Sequence, residues 1–250
     1  MIFDVIKNSI LNLLFPKYCL NCKERGEFLC ANCLTKISFL QNQQCPKCRR
    51  PNLIGNFCDQ QCRKDFYFDQ LIVCCQYGKN ALIKKLITSF KYNFLRELRL
   101  FLATILKTQF IYLSQFINLE KNIIFIPVPI HKKRLLYRGF NQAAELSEML
   151  LKILKNDSDF GERFWDITAL DCLTRDKYSE KQANLQRAER LNNLAGTITL
   201  NNSLTNLIKN KFCILIDDVS TTCATLNECS KILKRHGANY VCGLVLARGV

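Results

Sequence analysis

With 250 residues and 48% hydrophobic content the chain can bury a sizeable core, and only 9 Gly and 5 Pro exclude long disordered linkers. A formal charge of +15, which zinc-bound thiolates would lower, suits partners that carry phosphate: nucleotides, sugar phosphates or nucleic acid. A solvated basic surface would give the same figure.

Fifteen cysteines would fit a secreted disulfide protein. Met1 to Ile6 lacks a basic n-region, however, and no small-residue cleavage site follows. A reduced, cytoplasmic chain with metal-bound cysteines is therefore expected. In chain order, Ile2, Val5, Ile6, Ile10, Leu13 and Leu14 fall near a helical period and predict a short helix that packs on the rest of the protein. Eight cysteines then occur in pairs between Cys19 and Cys62. The composition changes near residues 63–68, which divides the chain into residues 1–66 and 67–250.

Beyond that boundary, strands alternate with helices. Leu71 to Tyr77 is apolar and β-prone, and Gly78 can start a turn. Ala81 to Phe90 and Leu95 to Ile117 read as helices. The most apolar stretch, Leu98 to Ile117, holds Arg99, Lys107, Gln109 and Gln115, so it predicts a buried or amphipathic helix and no membrane span. Asn122 to Val128 is a short buried strand stopped by Pro127 and Pro129. Gln142 to Leu154 is an amphipathic helix. Ile167 to Leu173 and Ile198 to Leu200 are weaker strands. Phe212 to Ile216 is a strongly apolar strand, Thr225 to Arg235 a helix closed by Gly237, and Tyr240 to Leu246 the last strand. This alternation predicts an α/β fold, a parallel sheet flanked by helices.

The cysteine pairs are Cys19-x2-Cys22, Cys30-x2-Cys33, Cys45-x2-Cys48 and Cys58-x3-Cys62. A C-x-x-C turn puts two sulfurs on one side of a tight loop, suited to Zn–S bonds of about 2.3 Å, and two such knuckles complete a tetrahedral Cys₄ site. The spacing leaves sequential and crossed pairing open. Four protein ligands leave no position for water or substrate, so the zinc is expected to be structural and to supply folding energy. Lys47, Arg49, Arg50, Arg63 and Lys64 among the knuckles could touch nucleic acid or simply be solvated.

The most informative stretch is Phe212-Cys213-Ile214-Leu215-Ile216-Asp217-Asp218-Val219-Ser220-Thr221-Thr222-Cys223-Ala224-Thr225. It is a strand, two acids, a hydroxyl-rich turn and a helix start. Ligands of open α/β sheets bind beyond the carboxyl ends of strands, and a helix N-terminus there suits a phosphate. Two acids beside a phosphate make sense if they accept hydrogen bonds from sugar hydroxyls. The reading is recognition of a phosphorylated ribose. The alternative is that Asp217 and Asp218 merely end a strand and Thr225 caps a helix.

This stretch resembles the PRPP-binding motif of type I phosphoribosyltransferases. Together with the double zinc ribbon, Phe90-Lys91-Tyr92, Pro127-Val128-Pro129, Arg138-Gly139-Phe140-Asn141-Gln142, and Gln182, Leu185, Arg187, Arg190 and Asn192, it resembles the ComF family over nearly the whole chain. The resemblance implies that Asp217 and Asp218 hold the ribose hydroxyls while Thr221, Thr222, Cys223, Ala224 and Thr225 cradle the 5′-phosphate. Cys223 stands where that family usually has glycine. With φ below zero a cysteine fits and phosphate binding is retained, which is the expectation; with φ above zero affinity would suffer.

The resemblance also places a pyrophosphate-facing loop after Val128, with Lys132, Lys133, Arg134 and Arg138 as candidate cations, although a solvated basic loop has the same composition. It makes residues 175–190 a mobile hood whose Arg175, Lys181, Arg187 and Arg190 would meet pyrophosphate or the acceptor. Mg²⁺ would arrive with PRPP, held mainly by its oxygens. No catalytic residue is assigned, because no pair identifies a general base. Of the two histidines, His236 at a helix end is structural and His131 a weak site candidate. The resemblance implies phosphoribosyl transfer to an unknown acceptor and an association with single-stranded DNA uptake in natural competence. A PRPP-sensing or DNA-binding module without turnover, and a zinc-ribbon adaptor for partner or competence proteins, are the competing expectations.

Overall fold

The computed structural model describes residues 16–78, 81–92, 95–116, 122–158, 166–176 and 196–249. The helix expected before residue 16, and Lys181, Gln182, Leu185, Arg187, Arg190 and Asn192, lie outside the described residues. Five strands form one parallel sheet: β3 (Gln70–Gln76), β4 (Ile123–Pro127), β5 (Thr168–Ala169), β8 (Phe212–Ser220) and β9 (Tyr240–Arg248). Their order is β3-β9-β8-β4-β5, every pair parallel.

The strands read as near-continuous apolar runs because both sheet faces are covered. Successive side chains alternate between two cores. Ile72, Cys74, Phe125, Ile214, Ile216, Leu244 and Leu246 pack with helices α3 (Ala81–Tyr92), α4 (Leu98–Phe116) and α6 (Gln142–Lys155). Leu71, Val73, Ile124, Ile126, Cys213, Leu215 and Val245 pack on the other side with Ile208 of the short helix α7 (Thr205–Ile208) and with Leu226, Cys229 and Leu233 of α8 (Ala224–Arg235). The helix expected at Leu95–Ile117 is α4. Among the described residues no helix is long and apolar enough to cross a membrane.

The zinc-ribbon region packs onto this sheet. The first ribbon carries helix α1 (Ala31–Leu34); the second carries an antiparallel pair, β1 (Gln43–Gln44) and β2 (Pro51–Asn52), and helix α2 (Gln60–Arg63), whose N-cap Asp59 accepts from the Cys62 N–H. Leu29, Cys33 and Ile37 enter the core made with α3 and α4. The Gln43 side-chain amide donates to the Val73 carbonyl and accepts from its N–H, at 3.1 and 2.9 Å. It thereby covers the edge of β3, which would otherwise present unpaired backbone groups. Phe57, Phe66 and Phe68 form a triangle with ring centroids 5.2 to 5.4 Å apart, each pair worth about 1 kcal/mol beyond its burial. Gly55 is required there: its φ is +75° and a Cβ would lie 2.0 Å from the Leu71 carbonyl oxygen.

Three local readings change. The stretch Ile167–Leu173 is two short strands, not one: β5 joins the sheet, whereas β6 (Leu173–Arg175) pairs antiparallel with β7 (Ile198–Leu200) in a separate ladder. The basic loop after Pro129 is a short helix, α5 (Lys132–Arg138), because His131 caps it: its Nδ1 accepts from the Lys133 N–H at 3.1 Å. Strands β8 and β9 run further than expected, to Ser220 and Arg248. There Asp217, Asp218, Ser220 and Arg248 bring polar side chains into the sheet while the parallel ladder continues, with Ser220 opposite Arg248.

Candidate functional site

From β8 the chain passes through α8 on one face to β9; from β4 it passes through α6 on the other face to β5. The connections diverge between β8 and β4, so the crevice at their carboxyl ends is the topological switch point, where open α/β sheets hold ligands. The register puts Ile216 opposite Pro127, and the Val128 N–H donates to the Ile216 carbonyl at 3.0 Å. Asp217 and Asp218 thus emerge directly beside the Pro127-Val128-Pro129 turn.

Asp218 is buried, and its Oδ2 lies 2.6 Å from Lys91 Nζ. Burial and the adjacent Asp218 charge push the Asp217 carboxyl up, against the pull of Lys91. Its Oδ1 accepts from the Asp218 N–H at 2.8 Å. Arg175 at the end of β6 is also buried. Desolvation and the like charge of Arg134 hold its guanidinium below the ordinary value, while Cys229 and Asp217 act the other way. Two acids and the cations Lys91, Arg134 and Arg175 therefore share one electrostatic neighbourhood.

Lys91 was not among the site residues expected from sequence, although it lies in the Phe90-Lys91-Tyr92 piece. Replacing Lys91 with methionine leaves a buried carboxylate without its countercharge, expected to cost about 3 kcal/mol of stability in urea unfolding. A loss below about 1 kcal/mol would mean the pair is solvated.

The turn itself departs from expectation. Cys223 has φ +64° and ψ +11°, the left-handed region, so the expectation of φ below zero is overturned. The position is one that favours glycine, and a cysteine there carries about 1–2 kcal/mol of strain. The thiol turns inward: Sγ accepts from Ser220 Oγ at 3.4 Å and from Arg248 Nη2 at 3.8 Å, and the residue is 2% exposed. As N-cap of α8 it makes no side-chain cap bond; the Ala224 N–H reaches Thr222 Oγ1 at 3.4 Å. Helix N–H groups left uncapped by Cys223 can meet an oxyanion. Thr221 is exposed, and Thr222 and Thr225 are partly so.

Cys223→Gly is expected to leave stability within about 1 kcal/mol, because relief of strain offsets glycine's entropy and the lost sulfur contacts. Cys223→Val, β-branched in the left-handed region, is expected to be the least stable of the three proteins. Thermal unfolding reads the order; valine as stable as glycine would contradict it.

The remaining cations divide. Arg138 is 6% exposed and is a strut: Nη1 donates to Gln142 Oε1 at 2.8 Å, Nη2 to Tyr92 Oη at 3.2 Å, and the guanidinium lies 5.1 Å from the Tyr92 ring centre. The Phe90 and Phe140 rings sit 5.3 Å apart, and Asn141 Nδ2 donates to the Val128 carbonyl at 3.3 Å. These contacts lock the two motif pieces together and set the turn after β4. Lys132, Lys133 and Arg134 form the first turn of α5, with Lys132 Nζ 4.0 Å from Asp176. His131 Nε2 lies 3.1 Å from the Asp176 carbonyl, so its ring ties α5 to β6. Lys181, Arg187 and Arg190 are outside the described residues.

The eight paired cysteines form two sequential clusters, which resolves the pairing. The sulfurs of Cys19, Cys22, Cys30 and Cys33 all lie within 4.8 Å of one another, as do those of Cys45, Cys48 and Cys62. Cys58 Sγ is 3.6 Å from Cys48 Sγ, and Cys22 and Cys30 are also 3.6 Å apart. A tetrahedron with Zn–S bonds of about 2.3 Å has sulfur–sulfur edges near 3.8 Å, whereas a disulfide needs about 2.0 Å. The residues fit zinc, and all fifteen thiols are free of disulfides. Burial pushes Cys75, Cys172 and Cys213 up to about 12, so these core thiols are inert.

Comparison with known proteins agrees. Residues 10–63 match the double zinc ribbon domain. The chain is 27% identical over 222 residues to competence protein ComFC of Bacillus subtilis, covering 84% of this chain and 80% of that protein. It is 28% identical to competence protein F of Haemophilus influenzae, covering 88% of this chain and 97% of the relative. It is 24% identical to DNA utilization protein YhgH of Escherichia coli K12, covering 85% and 87%. Two cysteine clusters suited to zinc ahead of a five-stranded parallel sheet, and similarity to these proteins along most of its length, support assigning the chain to the ComF family.

Proposed function

We propose that the protein binds PRPP with Mg²⁺ in the crevice between β8 and β4 and transfers its phosphoribosyl group to an acceptor, in the handling of single-stranded DNA during uptake. The observation that carries this reading is the pair Asp217-Asp218 at the switch point, followed by a tight left-handed turn into the start of α8. The acids accept from the ribose hydroxyls. Thr221, Thr222, Thr225 and the first N–H groups of α8 hold the 5′-phosphate. Negative charge grows on pyrophosphate as the anomeric bond breaks, and Lys132, Lys133, Arg134 and Arg175 are the cations available to receive it. Mg²⁺ comes with the substrate, held mainly by phosphate oxygens. The names of the relatives, competence and DNA utilization, support the biological setting. Reduced, metal-bound thiols fit the cytoplasm. The division into a ribbon unit, 1–66, and a ligand-binding unit, 67–250, belongs to the same reading.

The strained cysteine in the turn and the lack of an assigned general base favour a second reading, in which PRPP is bound but not turned over. Calorimetry with PRPP, with and without Mg²⁺, tests binding; release of pyrophosphate with nucleobases present tests turnover. No heat of binding by the wild type would overturn both readings. Salt-dependent single-strand binding without PRPP binding would favour the DNA-module reading instead.

A further inference from the structure

The turn that carries Cys223 is tied to the second zinc cluster by two arginines running in opposite directions. Arg49 directly follows the zinc ligand Cys48, sits at φ +63°, and donates from Nη2 to the Gly249 carbonyl at 2.9 Å. The Gly249 N–H in turn donates to the Ser220 carbonyl at 2.9 Å. Gly249 lies so close to the turn that a Cβ there would be 2.8 Å from Thr221 Cγ2. From the sheet side, Arg248 is buried at the end of β9. Its Nη1 donates to the carbonyl of the zinc ligand Cys45 at 3.5 Å, and its Nη2 to the carbonyl of Pro46 and to Cys223 Sγ. One guanidinium thus touches both the knuckle backbone and the strained residue of the turn.

The first cluster is placed differently. Cys19 and Cys33 are buried among residues of α3 and α4, and Asn21 Nδ2 donates to Cys33 Sγ at 3.2 Å. Its side chains pack on the sheet face opposite α8.

We propose that the second zinc cluster is the support of the turn, with Arg49 and Arg248 as positioning residues, so that zinc binding at Cys45, Cys48, Cys58 and Cys62 and ligand binding at residues 220–225 are coupled. The physical cause is that a left-handed non-glycine residue persists only where its surroundings over-determine it. The knuckle carbonyls hold Arg248, and Arg248 holds the thiol. Without metal the knuckle backbone is no longer fixed, and the turn loses two anchors. Coupling of equilibria is reciprocal, so a ligand in the turn must also tighten zinc in this cluster. The ligand half of this statement rests on the PRPP reading; the structural half does not.

The test uses the zinc-loaded full chain and a colorimetric chelator. PRPP with Mg²⁺ is expected to slow release of one zinc about fivefold and leave the other unchanged; Cys19→Ser, which spoils the first cluster, keeps the protected phase. Arg49→Ala, at a half-buried position that is not a zinc ligand, is expected to abolish the protection and weaken PRPP binding several-fold, with Arg49→Lys restoring part of both. Equal protection of both ions, or protection that survives Arg49→Ala, overturns the proposal. If the wild type binds no PRPP, the function proposed above fails, and hydrogen exchange decides the coupling alone. The amides of residues 220–225 must then exchange faster in Arg49→Ala than in wild type, and unchanged exchange overturns it.

Discussion

Replacing Asp217 and Asp218 together with alanine is expected to weaken PRPP binding about a hundredfold by calorimetry, because two hydrogen bonds to the ribose, roughly 1.5 kcal/mol each, are lost. Asp217→Asn separates binding from folding. The folded protein raises the Asp217 carboxyl above its unfolded value through burial and the Asp218 charge. The folded state therefore binds the proton more tightly than the unfolded state, and wild-type stability falls as pH rises from the unfolded value toward the folded one. Asparagine carries no such penalty. Asp217→Asn is expected to be more stable than wild type at pH 7, to lose that advantage below about pH 4, and still to bind PRPP more weakly. A variant that is less stable at neutral pH would mean that Asp217 is held as a structural anion and not kept for a ligand.

Stripping both zinc ions is expected to have the largest effect on the fold. Structural Cys₄ sites contribute on the order of 10 kcal/mol of folding free energy, comparable with the whole stability of a domain. The ribbon elements are short: α1 and α2 have four residues each, and β1 and β2 two each. Elements of this size have no stability of their own in water. Chelation should melt residues 16–66, seen as loss of amide protection there. It should also expose Phe57, Phe66 and Phe68 and uncover the β3 edge that Gln43 covers, so aggregation should follow. Unchanged protection of residues 16–66 after complete zinc removal would assign the ribbon's stability to its packing on the sheet instead.

The elements with strong local signals were legible. The apolar runs at 71–77, 122–128 and 212–216 became β3, β4 and β8, because strands buried on both faces need no alternation. The periodic stretch from Gln142 became α6, with Asn141 as its cap. Helix α5 was missed because its seven residues carry no apolar period; its start is made by His131, whose other nitrogen faces the carbonyl of Asp176. Arg138 read as a ligand cation since a sequence shows charge and not partners; Tyr92 and Gln142 decide its role. The pairing of the knuckles stays open in the sequence for the same reason, because spacings this similar permit either arrangement until the sulfurs have positions.

The paired cysteines suited to zinc, the strand–helix alternation and the acid pair are all legible in the residue order, since each depends on residue types at short, fixed separations. Only the tertiary structure decided that Lys91 faces Asp218, that Arg175 is buried near Asp217, and that Cys223 sits in a left-handed turn with its thiol against Arg248. Those relations join residues up to 127 positions apart (Lys91 to Asp218), through the order in which the strands are laid side by side. Local chemistry writes the parts of the site; the burial of two sheet faces brings them to one edge.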